Sequence, residues 1–250
     1  MAHSFPTRRS SDLISPRAGL LYKPVEAVTL YSSYSVSALP SSGDQFSSLT
    51  ATTETLEPEK FKNYEIGAKW DVLDRLSLAA AVYRLDRTNT TAPDPIDPSR
   101  TVQTGSQRTK GFEFNVNGAI TPAWQVIGGY ANQSATVTSA TAAAPVGARV
   151  SLVPRNTVSL WNRYQVASSL GFGLGVIYQD EMFAAIDDAV TLPSFVRVDA
   201  AAYYTVNRWV RLQANVENVF DRSYFPTANS NNNITPGSPR AVRVTVATGF

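Results

Sequence analysis

The chain has 250 residues, of which 43% are apolar and only 17% charged, below the ~25% usual for soluble domains, with a formal net charge of +2. That charge is too small to argue for a nucleic-acid partner, cysteine is absent, and the single histidine, His3, leaves no Ser-His or Cys-His pair to build elsewhere. No apolar run approaches the ~18 residues of a spanning helix, so any passage through a membrane must be made by strands.

From the start of the chain, HSFPTRRSSDL (His3 to Leu13) has basic residues but no apolar stretch of signal-peptide type, and it reads as translated sequencing adapter. Residues 1–13 are therefore set aside as an artefactual leader, and the fold is expected over 14–250. Strand composition between turn signals predicts about eleven strands: 17–21, 28–36, 63–70, 76–87, 107–118, 124–137, 156–165, 170–179, 195–204, 209–219 and 240–250. The last is the clearest. Val242, Val244, Val246 and Phe250 point one way, and Arg243, Thr245 and Gly249 the other. In 209–217, Val210, Leu212, Ala214 and Val216 likewise oppose Arg211, Gln213, Asn215 and Glu217.

The connections alternate between about four residues and about fifteen or more. Transmembrane β-barrels have short periplasmic turns and long outer loops, so loop length assigns the two ends. Trp70, Trp124, Trp161 and Trp209 fall at or near strand ends, with Tyr22, Tyr164 and Tyr204 beside short turns, as expected of interfacial girdles. The expected fold class is an all-β, antiparallel transmembrane barrel wall. A soluble β-sandwich is the competing reading, and it requires the valine face to form a buried core.

Four segments, LEPEKFKNYEIGAKW (56–70), RTKGFEFNVNG (108–118), VPRNTVSLWNRY (153–164) and NVENVFDRSY (215–224), together with the aromatic C-terminus, resemble the barrel of TonB-dependent ferric-siderophore receptors. The resemblance implies the last eleven strands or so of a 22-stranded barrel, with plug domain and TonB box absent from this sequence. It also implies an outer-membrane location in a lipopolysaccharide-containing bilayer. Partners implied are a ferric siderophore, the receptor's own plug, TonB acting through that plug, and the barrel-assembly machinery engaging Phe250. Arg163, Arg197, Asp199, Arg211, Glu217 and Arg243 look like plug-facing lumen residues; a wet channel or cross-strand pairing would also account for them.

A ferric chelate is bulky and often anionic, so its site needs aromatic faces and a few Arg or Lys groups. The long connections offer Phe46, Arg100, Arg108, Tyr178, Phe183, Tyr224 and Phe225 as siderophore contacts. No enzyme and no resident cofactor are expected, iron arriving already chelated. No metal site is expected either, since Asp44, Asp94 and Asp97 lack the spacing of a calcium loop. A passive porin-like barrel, and a receptor for cobalamin or haem, remain alternatives.

Overall fold

The computed structural model describes residues 14–39, 58–94, 96–97, 99, 101–141 and 144–249. The leader, Phe46, Arg100 and Phe250 lie outside these described residues. The strands, in chain order, are β1 (Arg17–Val25), β2 (Val28–Leu39), β3 (Glu59–Leu73), β4 (Leu76–Pro93), β5 (Thr101–Thr121), β6 (Trp124–Val137), β7 (Asn156–Ala167), β8 (Leu170–Gln179), β9 (Met182–Phe183), β10 (Thr191–Leu192), β11 (Phe195–Thr205), β12 (Val210–Glu217), β13 (Thr227–Ser230), β14 (Asn233–Thr235) and β15 (Ala241–Thr248).

Eleven of them form one antiparallel sheet in the order β1-β2-β3-β4-β5-β6-β7-β8-β11-β12-β15. These are the eleven strands expected from the sequence, each joined to its neighbours in chain order. One end of the sheet carries tight turns at 26–27, 74–75, 122–123, 168–169 and 206–209. The other carries the connections 40–58, 94–100, 138–155, 180–194 and 218–240.

Two expectations need correction. The first turn is Glu26–Ala27 alone, because β1 continues through Tyr22, Lys23 and Pro24 to Val25. The β4–β5 hairpin also extends much further than 76–87 and 107–118, reaching Pro93 and Thr101 through bulges between Arg87 and Thr91. Crossing a bilayer takes ~9–11 residues, and β5 has 21, so the excess projects beyond the membrane. There no face meets lipid and no apolar alternation is required; the extension is held instead by polar contacts such as that of the buried Thr90 and Thr104 hydroxyls, 2.7 Å apart, which is why Thr- and Gln-rich sequence does not read as strand.

Cross-strand partners share a face, so the register sorts every side chain. Leu30, Ala68, Ala80, Phe114, Tyr130, Val158, Tyr178 and Val196 make one continuous row, and Leu174, Ala200, Val216 and Val242 another on the same side. On the opposite face Arg163, Gly173, Ala201, Asn215 and Arg243 align. The apolar face is the exposed one: Ile66 is 64% accessible, Leu174 53% and Val244 69%, while Gly173 and Gly175 across the pleat are buried. A soluble sandwich would bury those valines and leucines. Asn162 is a polar exception on the apolar face, and its Oδ1 accepts from Trp124 Nε1 at 3.1 Å.

The buried apolar cluster sits in the long connections. Met182, Ala184, Leu192 and Ala228 pack with Val190 and Ile234, joining the β9–β10 and β13–β14 hairpins into a small platform above the wall. Next to the tight turns, Tyr22, Trp70, Trp124, Tyr164, Tyr204 and Trp209 are all exposed, forming an aromatic row at that end. Trp161 does not belong to it. It lies within β7 opposite Ile127 and Gly175, on the polar face.

Candidate functional site: inner wall and outer mouth

All six residues expected to face the lumen lie on the polar face. Arg197 and Asp199 are coupled on β11: the guanidinium donates from Nη2 to Asp199 Oδ2 at 2.7 Å and from Nη1 to the Tyr224 hydroxyl at 3.0 Å. Asp199 Oδ1 in turn accepts from the Asn218 backbone N–H at 2.8 Å. Arg163 stacks its guanidinium 4.5 Å from the Tyr203 ring centroid. Glu217 and Arg243, diagonal neighbours across β12 and β15, approach to 3.9 Å, a loose and exposed pair worth little in stability. Arg197, Asp199, Glu217 and Arg243 line one depression of about 280 Å³. Arg211 is exposed near the short-turn end of β12.

Sequence reading missed how this wall is built. Tyr31, Tyr83 and Trp161 lie over Gly67, Gly111 and Gly175, each directly opposite on the next strand. A β-carbon at any of these glycines would stand 2.4–2.5 Å from the ring, so each aromatic needs its glycine. The Tyr31 hydroxyl donates to Glu65 at 2.7 Å and the Tyr83 hydroxyl to Gln133 at 3.1 Å, which fixes both rings against the polar face.

The expected ligand contacts separate. Phe183 belongs to the mouth, on β9, with the Arg149 guanidinium 5.0 Å from its ring centroid. Phe225 is partly exposed on the 218–240 connection. Tyr224, expected as a loop contact, is instead buried: it packs on Phe195 with centroids 4.6 Å apart, sits over Gly237 and binds Arg197. Tyr178 and Arg108 are not loop residues. Tyr178 ends β8 on the apolar face, and its hydroxyl donates to Asp180. Arg108 stands within β5 on the apolar side and binds Asp86 at 2.6 Å.

The segment after β12 acts as a clasp. Asn218, fully buried and at φ 52°, donates from Nδ2 to the carbonyls of Arg222 and Ser238 and accepts at Oδ1 from the Arg222 N–H. Asp221 accepts from the Arg240 N–H at 2.8 Å. These bonds tie both ends of the 218–240 connection to the top of the wall and position Tyr224 over Arg197.

A cavity of about 570 Å³ opens beside this mouth, lined by Gln133, Arg149, Arg155, Asp180 and Glu181 among others. Arg149 and Arg155, which sequence reading passed over, are the only cations of the 138–155 connection, and that was the signal available. Asp180 is held below the usual carboxylate range by the Tyr178 hydroxyl and by Asn156 Nδ2 at 2.6 Å. Asp188 is shifted the other way by burial, its Oδ1 having no hydrogen-bond partner among the described residues.

A single-layer sheet with an exposed hydrocarbon-compatible face, a polar opposite face and turns sorted by length is the wall of an outer-membrane β-barrel. The chain belongs to the TonB-dependent receptor β-barrel family, whose model matches residues 2–219, and it is an outer-membrane protein. It is 32% identical over 98% of its length to the probable TonB-dependent siderophore receptor PiuA of Acinetobacter baumannii, covering 35% of that protein. It is 37% identical over 98% of its length to the catecholate siderophore receptor Fiu of Escherichia coli K12, covering 34%. The crystal structure of PiuA superposes with a TM-score of 0.80 over 93% of this chain and 35% of that one. The closed form of Fiu gives 0.79 over 94% and 34%. The chain thus spans about a third of the length of the curated relatives it matches.

Proposed function

We propose that the complete receptor to which this wall contributes binds a ferric siderophore at its outer mouth. It then passes the chelate inward with energy delivered through TonB to a plug domain. The observation that carries this reading is the mouth cavity, lined by Arg149 and Arg155 together with polar groups such as Gln133 and Ser194, with the Phe183 ring beside Arg149, above a wall of inward-facing polar side chains. Cations beside an aromatic face suit a bulky, anionic chelate. The names of PiuA and Fiu as siderophore receptors support the same cargo, and Fiu makes a ferric catecholate the first probe.

In this reading Arg163, Arg197, Asp199, Arg211, Glu217 and Arg243 face the plug, and Phe250 is the handle for the barrel-assembly machinery. The receptor performs no catalysis and holds no resident cofactor, iron being cargo. Arg149, Arg155, Phe183, Phe225, Phe46 and Arg100 are the ligand contacts. Arg108 and Tyr178 stand on the apolar outward face and Tyr224 is engaged by Arg197, so none of the three contacts the chelate in this reading.

Equilibrium binding of ferric catecholate to the full receptor tests this. Arg149→Ala with Arg155→Ala is expected to weaken affinity at least tenfold, and Phe183→Ala with Arg100→Ala to weaken it several-fold. Unchanged affinity in both pairs removes the assigned contacts. Binding of haem or cobalamin in place of any ferric siderophore replaces the cargo, and solute flux independent of TonB replaces the receptor with a passive pore.

A further inference from the structure

Two depressions mark the polar face between the long connections and the tight turns, and Trp161 lines both. The upper one, nearer the long connections, is that of Arg197, Asp199, Glu217 and Arg243. The lower, of about 420 Å³, is lined also by Arg75, Asn117, Gln125, Ile127 and Arg163. The indole lies across Gly173 and Gly175, so no side chain of β8 rises between the two at that level.

Register joins the depressions in one cross-strand row. Arg243 stands opposite Asn215, Asn215 opposite Ala201, Ala201 opposite Gly173, and Gly173 opposite Arg163. Arg163 stands in turn opposite Gln125, and Gln125 opposite Ala119, whose N–H donates to the Arg75 carbonyl at 2.7 Å. Barrel strands tilt by roughly 40°, so such a row runs obliquely down the wall. This one starts two residues into β15, beside the 218–240 connection, and ends in the 74–75 turn.

No carboxylate stands on the row, and its cations are less shared toward the bottom. In the upper depression Arg197 is paired with Asp199 and Arg243 loosely with Glu217. In the lower one no lining residue is acidic, and none of the ion pairs among the described residues engages Arg75 or Arg163. Arg163 is oriented by the Tyr203 ring and by Gln165 Oε1, which accepts from Nη2 at 3.4 Å; neither cancels its charge. The polar face of β3 to β5 differs. It carries Glu65 and Glu113, with Lys69 5.9 Å from the Tyr31 ring centroid. An anion in the lumen is repelled by those carboxylates and drawn along the arginine row toward the short turns.

We infer that this row is a second binding station and the inward path of the cargo: an anionic ferric catecholate moves from the upper depression, across the Trp161 ring, to Arg163 and Arg75. Catechol rings stack on the indole, and their oxygens accept from the guanidinium groups. Successive sites of moderate strength suit transit, because one tight site would retain the chelate. The path presupposes the cargo proposed above. In the complete receptor the plug borders the row, and the chelate passes between plug and wall.

The test uses the full receptor and two ferric catecholates with the same rings, one anionic and one whose arms carry ammonium groups that cancel its net charge. Equilibrium binding to the purified receptor is measured beside TonB-dependent uptake by cells at saturating chelate. The wild type is expected to take up the anionic chelate several-fold faster than the charge-cancelled one. Arg75→Gln with Arg163→Gln is expected to keep the affinity for the anionic chelate within twofold, to slow its uptake at least fivefold and to abolish the difference between the two chelates. Arg75→Lys with Arg163→Lys should keep at least half of the wild-type rate. If the Gln pair fails to assemble, Arg163→Gln alone is read the same way, with a smaller loss expected. Equal uptake of the two chelates by the wild type overturns the path. A preference that survives in the Gln variant also overturns it, and with both rates lowered alike it assigns the arginines to carboxylates of the plug. A wild type that binds no ferric chelate removes the cargo and the path together, whereas normal binding with unchanged uptake in the Gln variant removes the path alone.

Discussion

Trp161 lies across Gly175 of the neighbouring strand, so close that a β-carbon there would stand 2.4 Å from Trp161 Cε3. The ring also covers Gly173, where a β-carbon would meet Cζ2 at 2.5 Å. Gly175→Ala must therefore displace the indole. The expected cost is about 1–3 kcal/mol, the range for overpacking a close-fitted contact. It should be read as a lower urea midpoint for the full barrel in lipid vesicles. Gly19, with only Ser32 O at 3.6 Å, tolerates Ala and serves as control.

Asn218 supplies three hydrogen bonds from one buried side chain, two of them to carbonyls of residues 222 and 238. Asn218→Ala leaves those groups without their partner and loses a residue type that accepts φ 52°. A cost of about 1–3 kcal/mol is expected for the unsatisfied groups. It should be local: amide hydrogen exchange should accelerate across 218–240 while strands β2 to β7 keep their protection.

Much of this architecture was legible because a wall one layer thick encodes its two faces directly as a period of two. The pattern 209–217 placed Arg211 and Glu217 on the polar face, and the register confirms it. The same rule applied to β7 would have placed Trp161 correctly, since it is two residues from Arg163 and must share its face; proximity to a strand end was the weaker criterion. Above the membrane the rule expires. Thr101 to Ser106 carries no alternation because neither face meets lipid, so the extension of β5 was invisible. At the mouth, positions depend on long-range packing: nothing local to Tyr224 announces that Phe195 and Arg197 will claim it.

The two mouth carboxylates respond oppositely to acid. Asp188 has a folded pKa raised by burial, so its ionised form costs the fold at neutral pH, and that cost fades as pH falls toward the ordinary value of ~3.9. Asp180 has a lowered folded pKa; its contribution is complete above ~3.9 and is lost only as pH falls through the depressed value. As pH falls from 7 toward ~3.9 the β9–β10 hairpin is therefore expected to tighten, seen as hydrogen-exchange protection of 182–192 after correction for intrinsic rates. Asp188→Asn should reach the tightened level at pH 7 and lose the dependence, because Asn also tolerates φ 56°. A hairpin that loosens over that range would contradict the burial assignment.

The orientation of the whole wall rests on which face meets hydrocarbon, and one pair of substitutions decides it. Ile66 stands midway between Trp70 and Lys62 on the outward face of β3, at the level of the bilayer centre. An arginine there has no water and no partner, and the expected cost is about 2–4 kcal/mol. Ser33 lies on the opposite face, directly across from Glu65. An arginine at 33 would meet that carboxylate in a solvated lumen and should change stability by less than about 1 kcal/mol. Urea unfolding of the full barrel from vesicles, comparing Ile66→Arg with Ser33→Arg, gives the sign. Equal costs, or the larger cost at Ser33, would turn the sheet inside out and put Arg163, Arg197 and Asp199 on the hydrocarbon side.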